Sequence, residues 1–387
     1  MELSAPSILD LGLVLLLAAA GGWIARRLTL PAVVGYLAVG LAISPFTPGY
    51  VADREQLAFL ADVGVVLLLF EVGIEVDLAR IWRDHGVIAW AAPLQVVLTL
   101  GISTGALVAA GLPVLGAAFV GLGVAMSSSV VIVNITRSRR RTTDPATERA
   151  LIAWSVLQDV TGVAISVVLL AAAGASERPL WWALIGGAGF AAIAVGVALL
   201  LPWILRRLEA EGDLFLIVSV AVGLALAGVG AVVAGIPVAL AAFVGGLAIV
   251  EGPEAAEVRR RLLPFRDLLA VLFFVLLGSL IDPAALGRGL PWLAVLILLV
   301  VVAKSVLAAG LARASGMSAR AAQLGVGLGQ AGEFSFVLAS AALAHGLIPG
   351  EVYSAVLGTV VVTIVGSTVL VRLVRSGALP GATTGGS

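Results

Sequence analysis

Thirteen apolar stretches follow one another along the sequence, at about residues 8–24, 31–43, 57–76, 87–110, 114–136, 150–173, 180–205, 214–234, 237–250, 263–281, 290–312, 321–343 and 353–374. Most contain the ~20 residues that a helix needs to cross a bilayer, while the second and ninth are short and should tilt less or end in the interface. Hydrocarbon offers no water to backbone N–H and C=O groups, so segments of this length span it as helices that satisfy themselves. The expected fold is therefore an all-α polytopic membrane protein with about 13 transmembrane helices. A content of 61% hydrophobic and 12% charged residues fits no ordinary soluble domain.

The arginines test that count. Nineteen of them fall in the connections after odd-numbered stretches or near the C-terminus, and only Arg54, Arg178 and Arg288 fall after even-numbered ones. The positive-inside rule then puts the N-terminus outside and the C-terminus in the cytoplasm, across the cell inner (plasma) membrane. The opening MELSAPSILD lacks a basic leader, so the first stretch reads as a span rather than a cleaved signal. Zero net charge argues against a nucleic-acid partner, and the absence of cysteine excludes disulfides and thiolate chemistry. His85 and His345 stand at span edges, far apart in sequence, so no histidine metal site and no cofactor is expected.

The chain also repeats itself. PAVVGYLAVGLAI (31–43) matches PVALAAFVGGLAI (237–249), DVGVVLLLFEVGIEVD (62–77) matches DLLAVLFFVLLGSLID (267–282), and GLGVAMSSSVVIV (121–133) aligns more weakly with GVGLGQAGEFSFV (325–337). Equivalent segments are seven crossings apart, and an odd number reverses direction. The expected plan for residues 1–376 is one transmembrane domain of two inverted six-helix repeats, about 8–173 and 214–374, joined by a linker helix at 180–205. Residues 377–387 would form a short cytoplasmic tail. Inverted repeats are common in secondary transporters, which bind substrate near the midplane beside interrupted helices. Ala125-Met126-Ser127-Ser128-Ser129 and Gly329-Gln330-Ala331-Gly332-Glu333 are small and polar in mid-stretch at matching repeat positions, and unwinding is expected at both. Small residues there would also serve close helix packing.

Two charges lie deep in apolar stretches. Asp159 is near the middle of Leu151–Ala173, on one helical face with Ser155, Gly162 and Ser166 and beside Gln158. A charge at that depth costs at least ~2.5–3.5 kcal/mol on insertion scales, so it marks either a site or a buried ion pair. Lys304, the only lysine, lies inside the eleventh stretch, too deep to snorkel easily. Glu71 reads as structural or vestibular, and Asp62, Glu75 and Asp77 as interfacial.

LFEVGIEVD (69–77), MSSSVV (126–131), LQD (157–159), Lys304 and GQAGEFSFVL (329–338), in that order, resemble the monovalent cation:proton antiporters, whose membrane domain is of the sodium/hydrogen exchanger type, in the branch with Kef-type potassium efflux systems. The resemblance covers nearly the whole chain. It implies two discontinuous crossing helices, and a core domain that moves against a dimerisation domain in a homodimer. It also implies site roles: Asp159 as the shared cation and proton carrier, with Gln158, Ser128 and Ser129 around the transported Na⁺ or K⁺. Lys304 would be the buried basic partner, and Gln330, Gly332 and Glu333 would form the broken-helix motif.

The sequence departs from that pattern in two ways. Kef-type proteins usually carry a nucleotide-binding regulatory domain after the membrane part, whereas this sequence ends in GALPGATTGGS, so such regulation is expected to be absent or to come from a separate regulatory subunit. Electrogenic relatives have two adjacent acids where Gln158-Asp159 stands here, which leaves both cation and stoichiometry open. The expectation is a secondary active antiporter working by alternating access, with lipid, cation and proton as its partners and no enzymatic group in view. A cation channel, a sodium-coupled organic-anion symporter and a non-transporting membrane scaffold remain the alternatives.

Overall fold

The computed structural model describes residues 5–28, 30–47, 54–75, 86–136, 143–173, 180–208, 212–234, 238–247, 253–332 and 334–375. Among the described residues all regular structure is helical: α1 (Ala5–Arg27), α2 (Ala32–Ala42), α3 (Arg54–Glu75), α4 (Gly86–Ala109), α5 (Val114–Ala125), α6 (Ser129–Thr136), α7 (Pro145–Ala172), α8 (Leu180–Leu208), α9 (Gly212–Ala234), α10 (Val238–Leu247), α11 (Pro253–Ser279), α12 (Pro283–Arg288), α13 (Leu290–Leu299), a π-turn (Val300–Val306), α14 (Leu307–Ala314), α15 (Ala321–Leu328), α16 (Phe334–Ala344) and α17 (Gly350–Arg375). Eight helices among the described residues are long and apolar enough to cross a membrane, and α2, α5 and α16 are shorter apolar helices. Among the described residues each apolar stretch overlaps at least one helix, with two half-helices at 114–136 and 321–343 and with α13, the π-turn and α14 at 290–312. The protein is a multi-pass integral membrane protein.

The chain divides into two compact units. One takes Met1–Ile24, Gly35–Leu78 and Leu170–Leu280, and the other takes Ala25–Val34, Ala79–Leu169 and Ile281–Ser387. Each unit draws on both halves of the sequence.

In the first unit, Phe70 of α3, Leu201 and Leu205 of α8, Phe215 of α9, Ala242 of α10 and Leu262 of α11 share one buried cluster. Glycines set how closely its helices approach. A Cβ at Gly40 of α2 would lie 2.0 Å from the Val275 carbonyl oxygen and 2.9 Å from Gly278 Cα, on α11. A Cβ at Gly246 of α10 would lie 2.1 Å from the Phe70 carbonyl oxygen and 2.8 Å from Gly73 Cα, on α3. Gly40 and Gly246 are equivalent in the aligned sequence segments, as are Gly73 and Gly278. The same pair of positions therefore meets twice, each time across the two halves of the sequence. Backbone in contact with backbone leaves no flexible side chain to move aside.

The buried acid of α3 is held within this unit. Glu71, 1% exposed, accepts from Arg259 Nε at 2.5 Å and Arg266 Nη1 at 2.6 Å, both on α11. Two guanidinium groups about two turns apart on one face of α11 compensate the carboxylate, so its burial is explained by pairing.

In the second unit, α7 and α15 start from one junction. Asp144 caps α7, its Oδ1 accepting from the Ala146 and Thr147 N–H groups at 3.1 and 2.9 Å and its Oδ2 from the Thr147 hydroxyl at 2.9 Å. Thr147 Oγ1 in turn accepts from the N–H of Arg320, the residue that precedes α15, at 2.9 Å, and Arg320 Nε lies 3.2 Å from Asp144 Oδ2. Partial burial raises the Asp144 carboxyl, but the Thr147 N–H and hydroxyl and the Arg320 charge outweigh it, and the group stays below its ordinary value of 3.8.

Gly246→Ala should lower thermal stability in detergent, by about 1–3 kcal/mol as for other overpacked cores, because the added carbon meets backbone. Gly101→Ala, with nothing within 4 Å of its Cβ, should leave the melting temperature unchanged or slightly raised. Equal effects of the two would remove the close-approach argument.

Asp144→Ala should cost about 0.5–2 kcal/mol at neutral pH, the range for a lost helix cap. Because the folded state holds this carboxyl below 3.8, its contribution is complete above that pH and fades as pH falls through the folded value. The melting curves of the native protein and Asp144→Ala should converge toward acid, and a gap that widened there would overturn the assignment.

Candidate functional site

Two interrupted helices build the centre of the second unit. Between α5 and α6, Met126, Ser127 and Ser128 leave the helix, Met126 being extended at φ −95° and ψ 140°. Between α15 and α16 the described residues Gly329, Gln330, Ala331 and Gly332 are non-helical, and Glu333 lies outside the described residues. Helix interruption frees N–H and C=O groups, and here each interruption satisfies the other. The Gly332 N–H donates to the Met126 carbonyl at 3.1 Å. The Gln330 side chain does the work of a second backbone, its Oε1 accepting from the Ser128 N–H and its Nε2 donating to the Ser128 carbonyl, both at 3.1 Å. Ser127 Oγ donates to the Leu328 carbonyl at 2.8 Å, and Ser335 Oγ to the Gly123 carbonyl at 2.8 Å. A Cβ at Gly332 would stand 2.6 Å from the Ser127 carbonyl carbon, so only glycine lets the strands of unwound chain touch.

The two deep charges flank this crossing. Asp159, 1% exposed on the unbroken α7, accepts from Ser129 Oγ at 2.5 Å through Oδ2. Ser129 is the first residue of α6, so the carboxylate stands at the positive end of that half-helix. Lys304, fully buried, donates from Nζ to the Gln330 carbonyl at 2.8 Å, next to the C-terminal end of α15. Asp159 and Lys304 thus lie on the same crossing, one on each interruption.

Ser128, Ser129, Gln158, Asp159, Lys304, Gln330 and Gly332, all singled out in the sequence, thus fall in one cluster of one unit. Glu71 belongs to the other unit and to its arginine pair. Thr363, at the position of the second half equivalent to Asp159, lies at the other interruption, where its Oγ1 accepts from the Ala331 N–H at 3.0 Å and donates to the Thr359 carbonyl at 2.7 Å.

Sequence reasoning missed two things. Lys304 lies in a π-turn rather than an α-helix, a feature frequent at functional sites. The run Val300-Val301-Val302 is its one sequence signal, since β-branched residues crowd an α-helix. The second is a set of buried polar groups behind Gln158. Gln95 Oε1 on α4 accepts from Gln158 Nε2 and from Trp154 Nε1, the latter at 3.2 Å. Gln95 Nε2 donates to Thr99 Oγ1 at 3.0 Å, and Thr99 donates to the Ala303 carbonyl at 2.7 Å. On the opposite end, Gln158 Oε1 accepts from the Ser127 N–H at 3.3 Å. Gln95, Thr99 and Trp154 could have been found only as polar groups repeating at helical spacing within apolar stretches.

A family model described as the transmembrane sodium/hydrogen exchanger matches residues 13–375. YbaL of Escherichia coli (strain K12), provisionally named a cation/proton antiporter, is 30% identical over 377 residues, covering 92% of this chain and 66% of that protein. The chain thus spans just under two thirds of that relative's length. A structure of the sodium proton antiporter MjNhaP1 from Methanocaldococcus jannaschii at pH 8 superposes with a TM-score of 0.75 at 19% identity, over 96% of this chain and 98% of that one. An electron-microscopy map of the same antiporter gives a TM-score of 0.69 at 19% identity over 99% of each chain. At that identity the likeness is one of fold.

Proposed function

Because the chain belongs to the transmembrane sodium/hydrogen exchanger family, we propose that it is a secondary active antiporter that exchanges a monovalent cation, Na⁺ or K⁺, for protons, with Asp159 carrying each in turn. The observation that supports this most directly is a buried carboxylate on an unbroken helix, set against the first turn of a broken one. A proton and a dehydrated cation compete for the same carboxylate oxygens. Ser129 Oγ fixes the orientation of Oδ2, and Ser128 and Ser129, where α6 begins, bring the half-helix dipole to bear on the carboxylate. Lys304, held on the Gln330 carbonyl, is the positive charge that balances Asp159 when neither ligand is bound. Moving an uncompensated carboxylate through a low-dielectric interior is costly, so the site crosses loaded and exchange follows.

Alternating access exposes the site to each side in turn, in a homodimer whose membrane domain is built of two inverted repeats and a linker helix. The N-terminus faces outside and the C-terminus the cytoplasm, across the plasma membrane.

Asp159→Asn should fold and insert but show no cation-driven proton movement in proteoliposomes. Substantial residual exchange would transfer the role to another acid, with Glu333 first in line.

Exchange should be electroneutral, one proton for one cation. Asp159 has the neutral Gln158 beside it, and the equivalent position of the other half is Thr363. A carrier with the same net charge in both directions gives the membrane potential no purchase, whereas each moved charge is worth ~2.3 kcal/mol per 100 mV. With cation and proton concentrations equal on both sides, an inside-negative potential should produce no protein-dependent acidification. Sustained acidification that requires the cation would mean that net charge moves.

A further inference from the structure

The buried polar groups behind Asp159 form a chain with only one sense. It starts at a backbone N–H, that of Ser127, which can only donate, and ends at a backbone carbonyl, that of Ala303, which can only accept. Gln158 must therefore point Oε1 at Ser127 and Nε2 at Gln95. Gln95 Oε1 takes that amide and also the Trp154 indole N–H, a group with no acceptor capacity, so its own Nε2 must face Thr99. Thr99 accepts there and has one proton left, which goes to Ala303. A lone glutamine amide can be turned end for end at little cost. Turning Gln158 would set donor against donor at Ser127 and acceptor against acceptor at Gln95, and turning Gln95 would set its amide against the Gln158 and Trp154 donors and draw the Thr99 proton away from Ala303, in an interior where Gln95, Thr99 and Gln158 are all 0% exposed.

The two ends of the chain matter for the site. Gln158 is the neighbour of Asp159, and Ala303 is the neighbour of Lys304 inside the π-turn. The chain runs from the first interruption through α7 and α4 to the turn that bears the lysine, and it does so without using either charge. We infer that Gln158, Gln95 and Thr99 are positioning residues that hold the π-turn, and so the Lys304 ammonium, at a set distance from Asp159. Gln158 then serves as a link in this chain and not as a ligand to the cation. The inference rests on the exchange reading above and deepens it.

The test uses the full chain in proteoliposomes, with whichever of sodium and potassium chloride drives proton movement by the native protein, and reads the apparent KM for that cation. Thr99→Val keeps shape and removes the hydroxyl. It should change KM by about three- to tenfold, the scale of one hydrogen bond, with a monodisperse, folded protein. Thr99→Ser should restore KM to within about twofold, and in a Lys304→Ala background Thr99→Val should change nothing further, because its effect passes through the lysine. Gln95→Met breaks the chain one link earlier and serves where Lys304→Ala does not survive reconstitution: the Gln95→Met, Thr99→Val pair should be no worse than the worse single change. Additive effects, failure of Thr99→Ser to rescue, or an unchanged KM in Thr99→Val would each overturn the inference. A native protein that moves no protons with either cation would instead overturn the exchange reading itself.

Discussion

The centre of this protein depends on how unwound backbone is satisfied where there is no water. A buried N–H or C=O without a partner costs on the order of a hydrogen bond or more, and two interrupted helices produce several such groups together. They are placed against one another so that the groups freed by one serve the other. Met126 receives Gly332, Ser128 exchanges both of its backbone bonds with the Gln330 amide, and Ser127 reaches Leu328. The crossing thus depends on specific side-chain types: a glutamine that imitates a peptide group, serines short enough to reach neighbouring carbonyls, and a glycine where the chains touch.

Once the crossing is formed, the positions of the charges follow from electrostatics. A half-helix presents partial positive charge at its start and partial negative charge at its end. Asp159 stands at the start of α6, through Ser129, and Lys304 binds the Gln330 carbonyl just past the end of α15. Each full charge faces the helix end of opposite sign. The ammonium is held by a backbone carbonyl, and the carboxylate by the Ser129 hydroxyl at the start of a half-helix.

Much of this was legible in the sequence, for reasons that differ by residue. The spans were visible because apolar length is a direct consequence of bilayer thickness, and the two interruptions because Ser-Ser-Ser and Gly-Gln-Ala-Gly are small and polar in mid-stretch at matching repeat positions. Asp159 and Lys304 stood out because charge is expensive at that depth. The reciprocal contacts of Gly40 with Gly278 and of Gly246 with Gly73 were foreshadowed only as a repeated motif, since a pattern along one chain says which positions are equivalent but not which of them touch. Gln95 and Thr99 gave no signal of their own: a glutamine and a threonine in an apolar helix are ordinary until their partners are known. Glu71 read as structural or vestibular, and its arginines became visible only when α11 was folded against α3.

The π-turn at Val300–Val306 has a further consequence, in the phase of the helix that contains it. A wide turn takes in one residue more than an α-helical turn, so everything after it is rotated by about 100° from where an uninterrupted helix would put it. Val300, Ala303 and Lys304 face inward, while Val301, Val302 and Val306 stay exposed at 49%, 52% and 62%. The direction in which the lysine points thus depends on a count of residues as well as on the bond that Thr99 gives to Ala303. Removing or adding one residue in that run would turn the ammonium by about 100° away from the Gln330 carbonyl.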